Sequence, residues 1–263
     1  MIAPGGTSYA IAGPKGAPVV VLVHGLGLNR KVWQWMVPVL SRRFRVVTYD
    51  LIGHGQSALH DRRPVLADLS RQLAMLLDHL FVDRAAIVGF SLGGMVARRF
   101  AQDFPERAQA LGILHSPHRR TAEAQAAILA RVEQARQSGP TATVAAALLR
   151  WYSDACRASR PDLMDLTRSW VVANDPKVYH QLYAILADGI EEIVAPVPSI
   201  SCPALVLTAD EDHGNGPEMS AAIAAEIAGA RLVILHGLRH MALVEDPEAV
   251  NRAVMDFLTE AQQ

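Results

Sequence analysis

Hydrophobic residues fall along the chain in two recurring patterns. Short unbroken apolar runs, rich in Val, Ile and Leu, occur at residues 19–23, 45–49, 86–88, 111–114, 205–208 and 232–235. Runs in which neighbouring side chains are all apolar suit strands covered on both faces, as in a parallel sheet. A weaker run at residues 9–12, ahead of the loop Gly13-Pro14-Lys15-Gly16, predicts an antiparallel strand at the sheet edge. Between the runs, residues 68–80, 92–102, 219–228 and 247–258 repeat apolar positions every three or four residues, the stripe of an amphipathic helix. The last of these starts with Asp246 at an N-cap position and Pro247 at the first helical one, where a missing N–H costs nothing. Alternating strand and helix predict an α/β fold, a mostly parallel sheet with helices on both faces.

Residues 118–198 break the alternation. No strand-like run appears there, and the pattern is helical and Ala-rich, with breaks at Ser138-Gly139-Pro140, Ser159-Arg160-Pro161 and Asp175-Pro176. About four helices of ordinary length fit this stretch. It returns to the sheet through Ala195-Pro196-Val197-Pro198. The expected organisation is a core of residues 1–117 and 199–263 with a helical cap inserted at 118–198. Both ends of the insertion follow or precede strands, so it should roof the carboxyl ends of the sheet.

The strongest chemical signal is Gly89-Phe90-Ser91-Leu92-Gly93, a G-x-S-x-G between a predicted strand and a predicted helix. A sharp strand-to-helix turn presents the serine hydroxyl, and small residues at Gly89 and Gly93 let the chain pass closely. The helix N-terminus adds unpaired N–H groups and a positive dipole end at the same point. Alone, the motif is also compatible with Ser91 as a simple helix cap.

A serine hydroxyl needs a base. Of the ten histidines, His24 and His54 precede glycines in turns, His60 and His79 sit among surface-like charges, His115 lies near a strand end, and His213 adjoins an acidic cluster. His240 lies beyond the last strand run and just before the final helix, where parallel α/β sheets assemble their sites. The base in turn needs a carboxylate to hold its tautomer. Ala209-Asp210-Glu211-Asp212 follows the 205–208 run, and Asp212 is the choice, with Asp210 the alternative. The chain order Ser91, Asp212, His240 is that of one triad class. An oxyanion hole would draw one backbone N–H from Leu26, in His24-Gly25-Leu26-Gly27, and one from Leu92.

On these residues the chain resembles the α/β-hydrolase superfamily over nearly its whole length. The resemblance is carried by His24-Gly25, the turn from Asp50 through Gly53-His54-Gly55 to Ser57, the elbow from Gly89 to Gly94, Ala209 to Asp212, Gly237 to His240, and Glu245-Asp246-Pro247. Ala209 stands where the family usually has Gly. Within the superfamily the chain is most similar to esterases and 3-oxoadipate enol-lactone hydrolases, through Leu149-Arg150-Trp151-Tyr152 and Arg160-Pro161-Asp162-Leu163, with Tyr152 in place of the usual Phe. The resemblance implies an α/β-hydrolase fold, a carboxylic ester or lactone (including an enol-lactone) as small-molecule substrate, and Trp151 projecting toward the site. C–C bond hydrolases and perhydrolases of the same fold, and a non-catalytic ligand-binding protein, are the alternatives.

Composition narrows the partners. A net charge of −1 argues against nucleic acid as a partner. No apolar stretch is long enough to span a membrane, and residues 1–10 lack a basic segment and an apolar one, so a cytoplasmic protein with no membrane partner is expected. Two cysteines, Cys156 and Cys202, make no disulfide framework. No metal-binding or dinucleotide motif is present, so neither metal nor organic cofactor is expected; the number of subunits is left open. Arg119 and Arg120, where the insertion leaves the sheet, are candidates to meet an acidic substrate. The insertion's nine basic against nine acidic residues gives no support for that preference. Of its aromatics (Trp151, Tyr152, Trp170, Tyr179 and Tyr183), helical spacing assigns most to packing and one or two to the pocket.

Overall fold

The computed structural model of the chain describes residues 1–59, 62–196 and 199–262. His60 and the Val197-Pro198 end of the insertion lie outside the described residues. Each apolar run of the sequence is a strand: β1 (Tyr9–Ala12), β2 (Val19–Val23), β3 (Arg45–Tyr49), β4 (Ala85–Phe90), β5 (Ala108–Leu114), β6 (Ala204–Ala209) and β7 (Arg231–Leu235). They form one sheet in the order β1-β3-β2-β4-β5-β6-β7. Only β1 is antiparallel, pairing Tyr9 with Tyr49 and Ala12 with Val46 at the edge. Every residue of β4 and β6 is buried, so both faces of the sheet centre are covered.

The helices are α1 (Val37–Leu40), α2 (Leu66–His79), α3 (Leu92–Asp103), α4 (Ala122–Trp151), α5 (Asp154–Ser159), α6 (Pro161–Val172), α7 (Tyr179–Asp188), α8 (Pro217–Ala225), α9 (Ala242–Glu245) and α10 (Pro247–Glu260). Helix α2 packs on α3, while α1 and α10 touch each other. Asp246 caps α10 as its sequence predicts, its carboxylate accepting from the Ala249 N–H at 3.1 Å. Helix α8 begins at Pro217 rather than at 219, because proline is suited to the first helical position that the apolar stripe alone does not mark.

Helices α4 to α7 all lie between β5 and β6. The break at Gly139 is a kink inside α4, with φ +69° at Gly139 followed by Pro140. A further break, at Tyr152-Ser153, separates α4 from α5, where the Ser153 hydroxyl accepts from the Cys156 N–H. Arg98 on α3 secures both ends of this insertion. Its buried guanidinium donates to the carbonyls of Pro117 and Ile193 and pairs with Glu226 at 3.1 Å. Asn174 donates to the Gly27 carbonyl at 2.9 Å, and Met241 N–H donates to Trp151 at 2.9 Å, so the inserted helices rest on the loops after β2 and β7. No helix among the described residues is long and apolar enough to cross a membrane.

Candidate active site

The chain runs from β2 to β3 on one side, then crosses to β4 on the other, so the loops after β2 and β4 diverge. A crevice opens at such a switch point. Ser91 stands there, immediately after β4, with φ +56° and ψ −114°. A non-glycine residue in that region is strained, and the strain here turns the chain from strand to helix over one residue. The turn closes because its flanks are glycine. A Cβ on Gly89 would lie 2.0 Å from the Gly93 carbonyl oxygen, and one on Gly93 would lie 2.0 Å from that of Val23.

The two N–H groups expected for the oxyanion hole are free. Leu92 is the first residue of α3, and neither its N–H nor that of Leu26 finds an acceptor among the described residues. The Leu26 loop is held from below by two buried histidines. His24 Nε2 accepts from the Leu51 N–H at 2.9 Å while its Nδ1 donates to Gly25 at 2.8 Å. His54 Nε2 accepts from the Gly27 N–H at 3.1 Å and its Nδ1 donates to Ile52 at 3.1 Å. These bonds require neutral rings with the proton on Nδ1. Burial lowers both pKa values, and the His24 ring adds to the effect on His54, which falls to about 3. The two residues read from sequence as turn neighbours are thus the fastenings of the loop.

Asp212, after β6, meets His240, after β7, with His240 Nδ1 2.8 Å from Asp212 Oδ2. Asp212 Oδ1 accepts the N–H groups of Gly214 and Asn215 at 3.1 and 3.0 Å. Asp210 is elsewhere: its exposed carboxylate holds His236 and the Gly237 N–H. His213, beside the acid, is exposed.

His115 lies at a strand end, as its sequence reading has it, but it is also a member of the site. It follows β5 with φ +50°, is fully buried, and places its Nδ1 2.9 Å from the same Asp212 Oδ2. Its Nε2 is buried without a partner. Asp212 therefore serves two imidazoles. Burial alone would raise its pKa, but the His240 charge and the hydrogen bonds from His115 and His240 outweigh that and hold it ionised. Burial lowers the pKa of His115, so that ring stays neutral. A histidine directly after a strand run was the available signal; its partner, 97 residues away, was not visible.

The ligating atoms of His115, Asp212 and His240 lie within 4.8 Å of one another, so a metal has to be considered. Two ligands held at about 2.0–2.1 Å by a tetrahedral zinc would stand roughly 3.3 Å apart. The contacts to Asp212 Oδ2 of 2.8 and 2.9 Å are hydrogen bonds instead.

Ser91, Asp212, His240 and Leu26 all line one chamber of about 840 Å³, its mouth included. Among the described residues no hydrogen bond yet joins the Ser91 hydroxyl to His240, and such contacts are often loose before substrate binds. The roof comes from the insertion. The Trp151 ring sits 6.0 Å from the His240 ring, and Tyr179 and Tyr183 also line the chamber. Three of the insertion's aromatics, rather than one or two, line the cavity. Tyr152 and Trp170 are packing residues, Tyr152 bonding Thr167 at 2.6 Å. Of the two arginines singled out by sequence, Arg119 pairs with Glu191 on the surface, whereas Arg120 lines the chamber.

The chain is similar to proteins of known activity. The chain is similar to 3-oxoadipate enol-lactonase 2 of Acinetobacter baylyi, 27% identical over 247 residues that cover 94% of this chain and 91% of that one. It is similar also to (E)-2-((N-methylformamido)methylene)succinate hydrolase of the same organism, 24% identical over 252 residues, covering 96% and 94% of the two chains. The enol-lactonase of Burkholderia xenovorans LB400 superposes with a TM-score of 0.88 at 29% identity, over 96% of each chain. A family model described as the alpha/beta hydrolase fold matches residues 18–247. With that match over most of its length, and with this strand order, the chain belongs to the α/β-hydrolase fold family.

Proposed function

We propose that the protein is a serine hydrolase of carboxylic esters or lactones. The observation that carries this reading is the His240–Asp212 hydrogen bond in the chamber that also receives Ser91 from its strained turn. Ser91 Oγ attacks the acyl carbon while His240 Nε2 takes its proton. Asp212 keeps the His240 proton on Nδ1 and stabilises the imidazolium that forms. The developing oxyanion meets the Leu26 and Leu92 N–H groups, which cost no reorganisation because they have no other partner. The intermediate collapses when His240 returns its proton to the leaving oxygen. Water, activated by the same base, then releases the acid from Ser91. A lactone leaves as one ring-opened molecule and an ester as acid and alcohol. The names of the relatives support a lactone or a small unsaturated acid derivative over a long-chain ester. The inserted helices act as the roof that selects the acyl part, with Trp151 as its inward aromatic.

Labelling by a fluorophosphonate probe tests the reading. One equivalent should bind, Ser91 should carry it, and p-nitrophenyl acetate turnover should stop in step. A folded protein that neither labels nor turns over would be a ligand-binding member of the fold instead.

A further inference from the structure

The chamber that Ser91 lines is also lined by three arginines, Arg120, Arg131 and Arg150. Four of the other five arginines on the insertion find carboxylates: Arg119 pairs with Glu191, Arg136 with Glu133, Arg157 with Asp154 and Arg160 with Asp162, while Arg168 is exposed on the surface without a carboxylate among the described residues. The three in the chamber have no such partner among the described residues. Arg120 donates to the Leu186 carbonyl at 3.1 Å and to Gln125 at 3.4 Å, and Arg150 donates to the Ala146 carbonyl at 2.9 Å. Arg131 Nε is buried with no acceptor. The one acid that lines the chamber is Asp212, and both of its oxygens are occupied by histidines and backbone N–H groups.

Uncompensated like charges in a partly dry cavity are costly. Burial, and then the neighbouring Arg131 charge, lowers the pKa of Arg150 and takes that of Arg120 down to about 10. A guanidinium keeps its charge at neutral pH, so the chamber carries a positive field that an incoming anion would relieve. A guanidinium fork matches a carboxylate in shape as well as in charge. We propose that Arg120, Arg131 and Arg150 form an anion subsite, and that the acyl part of the substrate carries a free carboxylate that they receive. The proposal rests on the hydrolase reading for the scissile end alone. Water adds to the acyl carbon and the leaving oxygen takes a proton, so the acid released carries two carboxylates.

Two esters of equal chain length separate the charge from the chain: mono-p-nitrophenyl glutarate and p-nitrophenyl pentanoate. The wild-type protein should prefer the glutarate ester in kcat/KM by about 10- to 100-fold, the range of one charge-assisted hydrogen bond. Added salt should shrink the preference, because screening weakens the field. Arg131→Gln should cut the ratio of the two kcat/KM values roughly tenfold or more. Arg150→Gln gives a second reading should Arg131→Gln fail to fold, while Arg119→Gln, outside the chamber, should change neither rate. Glutarate should also bind Ser91→Ala protein in calorimetry, and bind more weakly when Arg131→Gln is added. Equal rates on the two esters in a protein whose Ser91 labels would overturn the subsite and leave the hydrolase reading standing. Arg131-dependent glutarate binding by a protein that never labels would do the reverse.

Discussion

Asp212→Asn exchanges one oxygen for an amide nitrogen where four donors converge: Nδ1 of His240 and of His115, and the N–H groups of Gly214 and Asn215. Asparagine keeps one acceptor oxygen. If that oxygen stays with the two backbone N–H groups, the new NH2 faces both imidazoles, which must then move their protons to Nε2. His240 so changed has no lone pair to offer Ser91, and a wrong tautomer costs about 10⁴ in kcat, or roughly 5.4 kcal/mol. His115 so changed becomes a donor where its Nε2 already lies buried without a partner. A stranded buried donor costs about 1–3 kcal/mol of stability, or about 2–12 °C in Tm for a chain of this size. Asp210→Asn touches only an exposed contact with His236 and Gly237, so kcat and Tm should stay near wild type. The assay is steady-state hydrolysis of a p-nitrophenyl ester with a thermal melt on the same samples. A crippled Asp210→Asn, or an Asp212→Asn protein within tenfold of wild type, would refute the reasoning.

Three further outcomes are expected. Gly93→Ala drives a Cβ to 2.0 Å from the Val23 carbonyl oxygen, so urea titration should show a loss of about 3 kcal/mol or more. His54 stays neutral in the fold down to about pH 3, whereas the unfolded ring titrates near 6.5. The unfolded state therefore binds the extra proton below pH 6.5, and stability should fall by about 1.4 kcal/mol per pH unit on acidification; in His54→Gln, whose amide oxygen can still accept from Gly27, that slope should be shallower by one proton. Trp151→Ala should lower kcat/KM on the best substrate by roughly tenfold or more and leave a small activated ester and Ser91 labelling largely intact; equal losses on all substrates with an unchanged Tm would remove Trp151 from selectivity.

What could be read in advance followed from local chemistry. The strands were legible as apolar runs because the centre of the sheet is buried on both faces, and only their ends slipped, as at Ala85 and Ala108, where alanine does not distinguish strand from loop. The elbow was legible because only glycine fits at Gly89 and Gly93. The break before α5 was missed although Ser153-Asp154 is a helix-start signal, because the apolar spacing runs across it. What stayed hidden depends on partners far apart in the chain. His115 reads as an ordinary histidine until β5 and β6 bring it to Asp212. His24 and His54 read as turn residues until they are seen to hold the loop around Leu26. The nine-to-nine charge balance of residues 118–198 conceals where the charges sit, with ion-paired acids on the outer surface and three arginines facing the chamber.

The central claim is that Ser91 is the nucleophile of a hydrolase, and Ser91→Ala tests it most directly. The variant loses one oxygen from a turn whose shape is set by Gly89 and Gly93, so its melt should match wild type. Its kcat on the best ester or lactone should drop by about 10⁶-fold, leaving what binding and the oxyanion N–H groups supply. A folded Ser91→Ala protein that still turns over at near the wild-type rate would contradict the account.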